Sequence, residues 1–247
     1  MIEGIKAIAI LAGKAILEVY NGSDLGITIK EDDSPLTKAD LISNQIILEG
    51  IKKISDDPIL SEESYIEYAE RKNWKKFWIV DPLDGTKDFI DKNGEFTINI
   101  ALIEDHKPTL GVVYAPAIDL MYYAEKGKGA YKNGTLIKNV SNRKDLIGSD
   151  SRHHSTVETK NFFVRNSINK ITKFGSAVKF GKLAEGVIDI YPRLNGTKEW
   201  DTAAGHIICN EANCKLVDCV TNNELVYNKE NIRNEHFIAS RNDLNLS

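Results

Sequence analysis

The chain has 247 residues, 42% hydrophobic and 28% charged, with a net charge of −4 and a pI near 5.8. That length and composition suit a globular protein of one large domain or two small ones sharing a core, and an acidic balance with dispersed lysines excludes general attraction to nucleic acid. No apolar run approaches the roughly 18 residues needed to span a bilayer, and Met1 to Lys6 carries an early acid without a signal-peptide layout, so a cytoplasmic location with no integral membrane segment is expected.

Apolar positions Ile5, Ile8, Ala12, Ala15, Ile16 and Val19 recur at helical spacing over 3–20, and Asn21-Gly22 ends that helix. Gly26 to Lys30 alternates as a short strand, and an acidic loop from Lys30 to Asp40 leads into a second helix. Leu41, Ile47, Leu48, Ile51 and Ile54 are expected on one side of it, with Asp56-Asp57-Pro58 as its stop. A buried strand from Phe77 to Val80 follows, expected to end at Asp81-Pro82 because proline removes a backbone donor. Thr97 to Ile103, Leu110 to Tyr114, Leu120 to Ala124 and Gly129 to Lys132 read as a meander, with Asn133-Gly134 as a tight hairpin turn. Past residue 140 the pattern becomes mixed. Asp145 to Ser149 reads as a strand, 156–167 and Val178 to Ala184 as helices, Val187 to Tyr191 as a strand, and Trp200 opens a further helix. Lys215 to Asp218 and His236 to Ser240 close the fold as strands, which divides the chain softly into subdomains 1–140 and 141–247. Cys209, Cys214 and Cys219 are an odd number, spaced too widely for a zinc knuckle, and read as reduced structural thiols.

The chemistry concentrates in Asp81-Pro82-Leu83-Asp84-Gly85-Thr86, an apolar strand emptying into two acids and a hydroxyl. In α/β architectures ligands sit at that end of a strand. A divalent hard cation wants a few carboxylates and keeps places for water or phosphate. Glu62, Asp81, Asp84 and Asp201, with the Leu83 carbonyl, supply such a set if the fold gathers them. Asp201 lies in the first turn of its helix, where an N-terminal cap and a metal ligand are equally open readings. Two magnesium ions would suit phosphate-ester hydrolysis, with Thr86 orienting a water and Asp40, after Thr37, accepting its proton. Backbone N–H groups of Gly85 and Thr86 favour an anion.

Asp81-Pro82-Leu83-Asp84-Gly85-Thr86 together with Trp200-Asp201-Thr202-Ala203-Ala204-Gly205 resembles the paired signatures of the inositol-monophosphatase superfamily. Within it the chain is most similar to bacterial 3′(2′),5′-bisphosphate nucleotidases of the CysQ type. Ser34 to Asp40, Leu60-Ser61-Glu62-Glu63, Gly85 to Ile90 with Asn93 to Thr97, and Ala184 to Arg193 carry the narrower match. The resemblance implies an α+β or α/β fold, a layered α/β/α/β/α sandwich, and a lithium-sensitive phosphatase using two or three Mg²⁺ ions. It implies metal ligation by Glu62, Asp81, Leu83, Asp84 and Asp201, and catalytic roles for Asp40, Thr86 and Glu63. It also implies substrate contacts from Gly85, Thr86, Lys87, Ser151, His154, Gly175, Ser176, Lys179, Arg193 and Asp201. Ala177 departs from the pattern, standing where close relatives often have a second serine.

The implied reaction removes the 3′-phosphate of adenosine 3′,5′-bisphosphate, or of its sulfated analogue 3′-phosphoadenylyl sulfate, in the setting of sulfate assimilation. Its partner is a small nucleotide bisphosphate rather than nucleic acid, with the protein a monomer or homodimer, and relatives are sometimes peripheral at the cytoplasmic face of the inner membrane. Lys179 and Arg193 favour a bisphosphate, since a second phosphate needs cations away from the metals. An inositol or sugar phosphatase with the same metal site is the alternative, and a nucleotide-binding sensor without turnover a third reading.

Overall fold

The structure is a computed structural model that describes residues 1–30 and 35–244. The acidic stretch 31–34, read above as loop, lies outside the described residues. Helix α1 (Ile2–Asn21) leads to a short antiparallel ribbon of β1 (Thr28–Ile29) and β2 (Pro35–Leu36), then to α2 (Lys38–Lys52). The main sheet takes β3 (Ile59–Ser61) and, after the short α3 (Tyr68–Arg71), β4 (Lys76–Asp84). Past α4 (Thr86–Ile90) come β5 (Thr97–Glu104), β6 (Lys107–Ala115), β7 (Leu120–Glu125), β8 (Ala130–Lys132) and β9 (Thr135–Ile137). These seven strands lie in sequence order, antiparallel except for the parallel β3–β4 pair.

The second half supplies β10 (Ile147–Ser151), α5 (Val157–Arg165), β11 (Lys170–Phe174), α6 (Val178–Ala184), β12 (Ile190–Arg193), β13 (Thr197–Lys198), α7 (Glu199–Glu211), β14 (Cys214–Asp218), β15 (Arg233–Asn234) and β16 (Phe237–Arg241). Its five-stranded sheet has the order β11-β10-β12-β16-β14, with β16 antiparallel to both neighbours, while β13 and β15 form a separate ribbon.

Side-chain alternation fixes the layering, because successive strand residues face opposite sides. Trp78 and Val80 of β4, with Ile98 and Ile100 of β5, join Ile5, Ala9, Ile16, Ile47 and Ile51 of α1 and α2 in one core. Phe77 and Ile79, with Ala101 and Ile103, face the other way, onto Phe180, Leu183, Ala204 and Ile208 of α6 and α7. The same core takes Tyr191, Leu216, Phe237 and Ala239 from the second sheet. Phe162 and Phe163 of α5 cover the outer face of that sheet beside Ile190. The order of layers is therefore α/β/α/β/α, the architecture expected above. Burying each large side chain in these cores contributes about 1.5–3 kcal/mol.

Four local readings change. Strand β4 does not stop before Pro82; it runs on to Asp84 with a register shift between Asp81 and Asp84, and a bulge is where a sheet tolerates proline. Helix α2 buries Ala39, Asp40, Ser43, Asn44, Ile47 and Ile51, leaving Leu41 53% and Ile54 40% exposed. Its buried face is half polar because Ser43 donates to the Pro82 carbonyl at 2.7 Å and Asn44 accepts from Ser61 at 2.7 Å. Strand β11 is an additional edge strand, and β12 begins at Ile190 rather than Val187. Asn133 and Gly134, both at positive φ, make the expected two-residue turn between β8 and β9. Among the described residues no helix is long and apolar enough to cross a membrane.

Candidate active site

The bulge in β4 turns Asp81 and Asp84 toward one cavity, and Gly85 at φ 88 lets the chain swing at once into α4. Asp201 arrives from the first turn of α7. Its Oδ2 accepts the Lys198 backbone N–H at 2.7 Å, while a carboxylate oxygen lies within 4.8 Å of one from each of Asp81 and Asp84. Cap and cluster member are thus the same side chain, and the two open readings of Asp201 are compatible.

Three carboxylates this close oppose one another's ionisation. Burial, reinforced by Glu62, Asp84 and Asp201, holds Asp81 well above the usual carboxylate range. Asp201 is pushed up to about 8, mainly by burial and then by Asp84 and Glu62. Asp84 rises only to about 6, since Lys179, Asn99 and the Ala177 amide offset its burial. Both keep a side open to the cavity, where a bound cation would relieve the repulsion. The donor set is all hard oxygen, which fits magnesium better than a softer metal.

The cavity has a volume of about 400 Å³. Glu62, Asp81, Leu83, Asp84 and Asp201 line it, with Gly85, Thr86 and Lys87. Ser151, His153, His154, Ser176, Lys179 and Arg193 line it as well, with the rings of Tyr191, Trp200 and Phe237. Lys179 is buried, its ammonium donating to the carbonyls of Ser176 at 2.6 Å and Phe174 at 3.1 Å, and 5.3 Å above the Tyr191 ring. Burial pulls its pKa down to about 8, against the attraction of Asp84. Arg193 Nε is buried without a partner. His154 is pushed down to about 4 by burial and then by Arg193, Lys87 and Lys179, so it stays neutral among cations.

Three of the sequence-assigned residues stand behind the lining. Asp40 accepts the Thr37 amide at 2.7 Å and the Thr37 hydroxyl at 2.6 Å, and its other oxygen faces the Thr86 hydroxyl at 3.4 Å. Burial raises the Asp40 pKa, and the two Thr37 bonds oppose that. Glu63 is turned to Lys30 at 2.5 Å. Gly175 is a packing residue: its N–H donates to Glu95 at 2.6 Å, and a Cβ there would come within 2.7 Å of the Glu95 carbonyl oxygen. Ser176 spends its hydroxyl on that same carbonyl at 2.7 Å. Glu62 lines the cavity outside the three-acid cluster and is gripped by Lys30 at 2.8 Å.

Sequence reasoning passed over Lys30, which no motif marks. It also passed over the mouth network in which Arg152 pairs with Glu95 at 2.7 Å and His153 with Asp88 at 3.0 Å. Asp88 and Glu95 fall inside the matched stretches, and what gives them away is structural: Asp88 is buried and lines the cavity, and half-buried Glu95 pairs with Arg152.

The inositol monophosphatase family profile matches residues 1–244. This chain belongs to the inositol monophosphatase family. Among its relatives, the 3′(2′),5′-bisphosphate nucleotidase CysQ of Salmonella typhimurium is 43% identical over 222 residues, covering 88% of this chain and 90% of that protein. The crystal structure of CysQ from Bacteroides thetaiotaomicron, 36% identical, superposes with a TM-score of 0.88 over 98% of this chain and 97% of that one. The structure of Thermotoga maritima IMPase, 28% identical, superposes with a TM-score of 0.81 over 96% of this chain and 90% of that one. The family fold and the acid cluster therefore coincide in one molecule.

Proposed function

We propose that this protein is a Mg²⁺-dependent phosphatase that removes the 3′-phosphate from adenosine 3′,5′-bisphosphate and from its sulfated analogue. The observation that carries the reading is the pairing, in one cavity, of a three-acid cluster with two cations, the buried Lys179 and the half-buried Arg193. A monophosphate gives those cations nothing to bind, whereas a second phosphate uses both. Tyr191, Trp200 and Phe237 supply apolar walls for a nucleoside beside the charged groups.

Asp81, Asp84 and Asp201 would hold magnesium, with Glu62 joining them on release from Lys30. Bound there, the ion supplies Lewis-acid activation of water and charge stabilisation of the leaving oxygen. Thr86 orients the attacking water, and Asp40 draws its proton through the Thr86 hydroxyl. An Asp40 pKa lifted by burial suits a base working nearer neutrality than an exposed aspartate. Lys179 and Arg193 hold the phosphate that is not cleaved and thereby fix which ester faces the water. Neutral His154 adds a hydrogen bond without further charge.

Phosphate release from adenosine 3′,5′-bisphosphate, inositol 1-phosphate and fructose 1,6-bisphosphate, measured in parallel with Mg²⁺, with chelator and with added Li⁺, tests the reading. A strong preference for the nucleotide that chelator abolishes is expected. Preference for inositol 1-phosphate would keep the metal site and overturn the substrate assignment, and no release from any of them would overturn the enzyme reading.

A further inference from the structure

Lys179 is aimed by the turn that precedes its helix, and that turn is held from outside the cavity. The ammonium rests on the carbonyls of Phe174 and Ser176, on either side of Gly175. The Phe174 carbonyl and the Gly175 N–H belong to one trans peptide unit and point opposite ways across it. The carbonyl accepts from Lys179 at 3.1 Å, and the N–H donates to Glu95 Oε2 at 2.6 Å. An ammonium and a carboxylate thus grip the two ends of one amide, and charge makes each hydrogen bond stronger than a neutral one.

Ser176 shows why a grip is needed. Its backbone sits at φ 35, toward the left-handed region, which a residue with a Cβ adopts only at a cost. Such a conformation persists where its surroundings over-determine it. Here the Ser176 hydroxyl donates to the Glu95 carbonyl at 2.7 Å, so one residue holds the turn by its backbone and by its side chain. Relaxation of Ser176 would turn its own carbonyl, and the Lys179 ammonium 2.6 Å from it, out of their present places.

The same Glu95 oxygen accepts from Arg152, at 2.7 Å from Nη2 and 3.2 Å from Nε. Arg152 belongs to the loop between β10 and α5, which presents His153 and His154 to the cavity. Burial pulls the Lys179 pKa down, and Glu95 is among the acids, after Asp84 and Asp88, that offset it. Glu95 itself stands outside the cavity lining, and no part of the mechanism above uses it.

We propose that Glu95 is the positioning residue for the second phosphate: its carboxylate and carbonyl lock the Gly175-Ser176 turn, aim the Lys179 ammonium, and tether the His154-bearing loop through Arg152. The role toward a second phosphate rests on the substrate proposed above; the locking of the turn does not.

The test compares the full chain with Glu95→Ala, Glu95→Gln and Arg152→Ala. Hydrogen exchange at the Gly175 amide, followed by ¹H–¹⁵N NMR, reads the turn. Protection is expected to fall about tenfold in Glu95→Ala and to stay within about threefold of the parent in Glu95→Gln, whose side-chain oxygen still accepts from Gly175. Kinetics on adenosine 3′,5′-bisphosphate read the consequence. Glu95→Ala should raise KM about tenfold with kcat within about twofold, the pattern of lost binding rather than lost chemistry. Glu95→Gln should restore most of that KM. Arg152→Ala, which removes an exposed side chain, should raise KM about threefold with Gly175 still protected. Mn²⁺ affinity by calorimetry should stay within about twofold of the parent in all three variants, whereas a Glu95 that only supports the fold would move KM, kcat and Mn²⁺ affinity together. Unchanged Gly175 protection in Glu95→Ala overturns the locking of the turn. Unchanged KM in Glu95→Ala overturns the positioning role, and unchanged KM in Arg152→Ala overturns the tether. A parent protein with no preference for the bisphosphate overturns the substrate reading instead, and Gly175 protection then decides the locking by itself.

Discussion

The Lys30 ammonium lies 2.8 Å from Glu62, so an acid assigned to the metal is held by a cation of the same chain. Lys30 also reaches Glu63, and each of the three side chains is less than a third exposed. A second cation approaching Glu62 must compete with this ammonium, an interaction worth on the order of 1 kcal/mol when partly screened. Lys30→Met is therefore expected to lower the Mg²⁺ concentration for half-maximal activity about fivefold. A titration of activity against Mg²⁺ checks it, and a higher requirement would mean that Lys30 orients Glu62 rather than competing for it.

Metal removal should expose the mutual repulsion of the acids. Asp84 and Asp201, raised to about 6 and about 8, hold protons in the folded chain that the unfolded chain gives up near pH 4. A raised carboxyl pKa contributes stability that is full below the unfolded value and lost as pH climbs through the folded one. Chelator-treated protein should accordingly melt at progressively lower temperature from pH 5 to pH 8, and saturating Mg²⁺ should remove most of that slope. Melting curves at several pH values decide, and a metal-free melting temperature that is flat or rising over the window would refute it.

Gly111 tests how closely the sheet sets the site. A Cβ there would stand 2.6 Å from the Ile207 side chain and 2.8 Å from the Ala204 carbonyl, so Gly111→Ala must push α7 off the sheet. Overpacking of this kind costs roughly 1–3 kcal/mol. Because α7 carries Asp201, weaker Mg²⁺ binding should accompany the lower stability, and denaturant melts with metal titration on the same sample would show whether the two move together.

Lys179→Ala is expected to raise KM for adenosine 3′,5′-bisphosphate by at least tenfold, as loss of a buried charge-assisted contact implies, with much less effect on inositol 1-phosphate. Equal increases for both substrates would place Lys179 in general support of the cavity instead of on the second phosphate.

What the sequence disclosed and what it hid divide along a physical line. Asp81, Asp84 and Asp201 were legible because apolar strands and helix starts frame them. The polar face of α2 was not, since Asp40, Ser43 and Asn44 are buried by hydrogen bonds to the site end of the sheet, and hydrophobic spacing is blind to that. The run of β4 through Pro82 was hidden because a bulge, which a residue string does not show, is what admits the proline. Strand β11 is an edge with no buried position and so carries little periodicity. Lys30 could be found only once the ribbon placed it over Glu62.

Helices α6 and α7, which carry Lys179 and Asp201, lie between the two sheets and pack on both. The sheets cannot hinge apart without tearing the cavity, and a clamshell motion is closed to this architecture. Lys179 and Asp201 are therefore set in one rigid frame by both sheets at once.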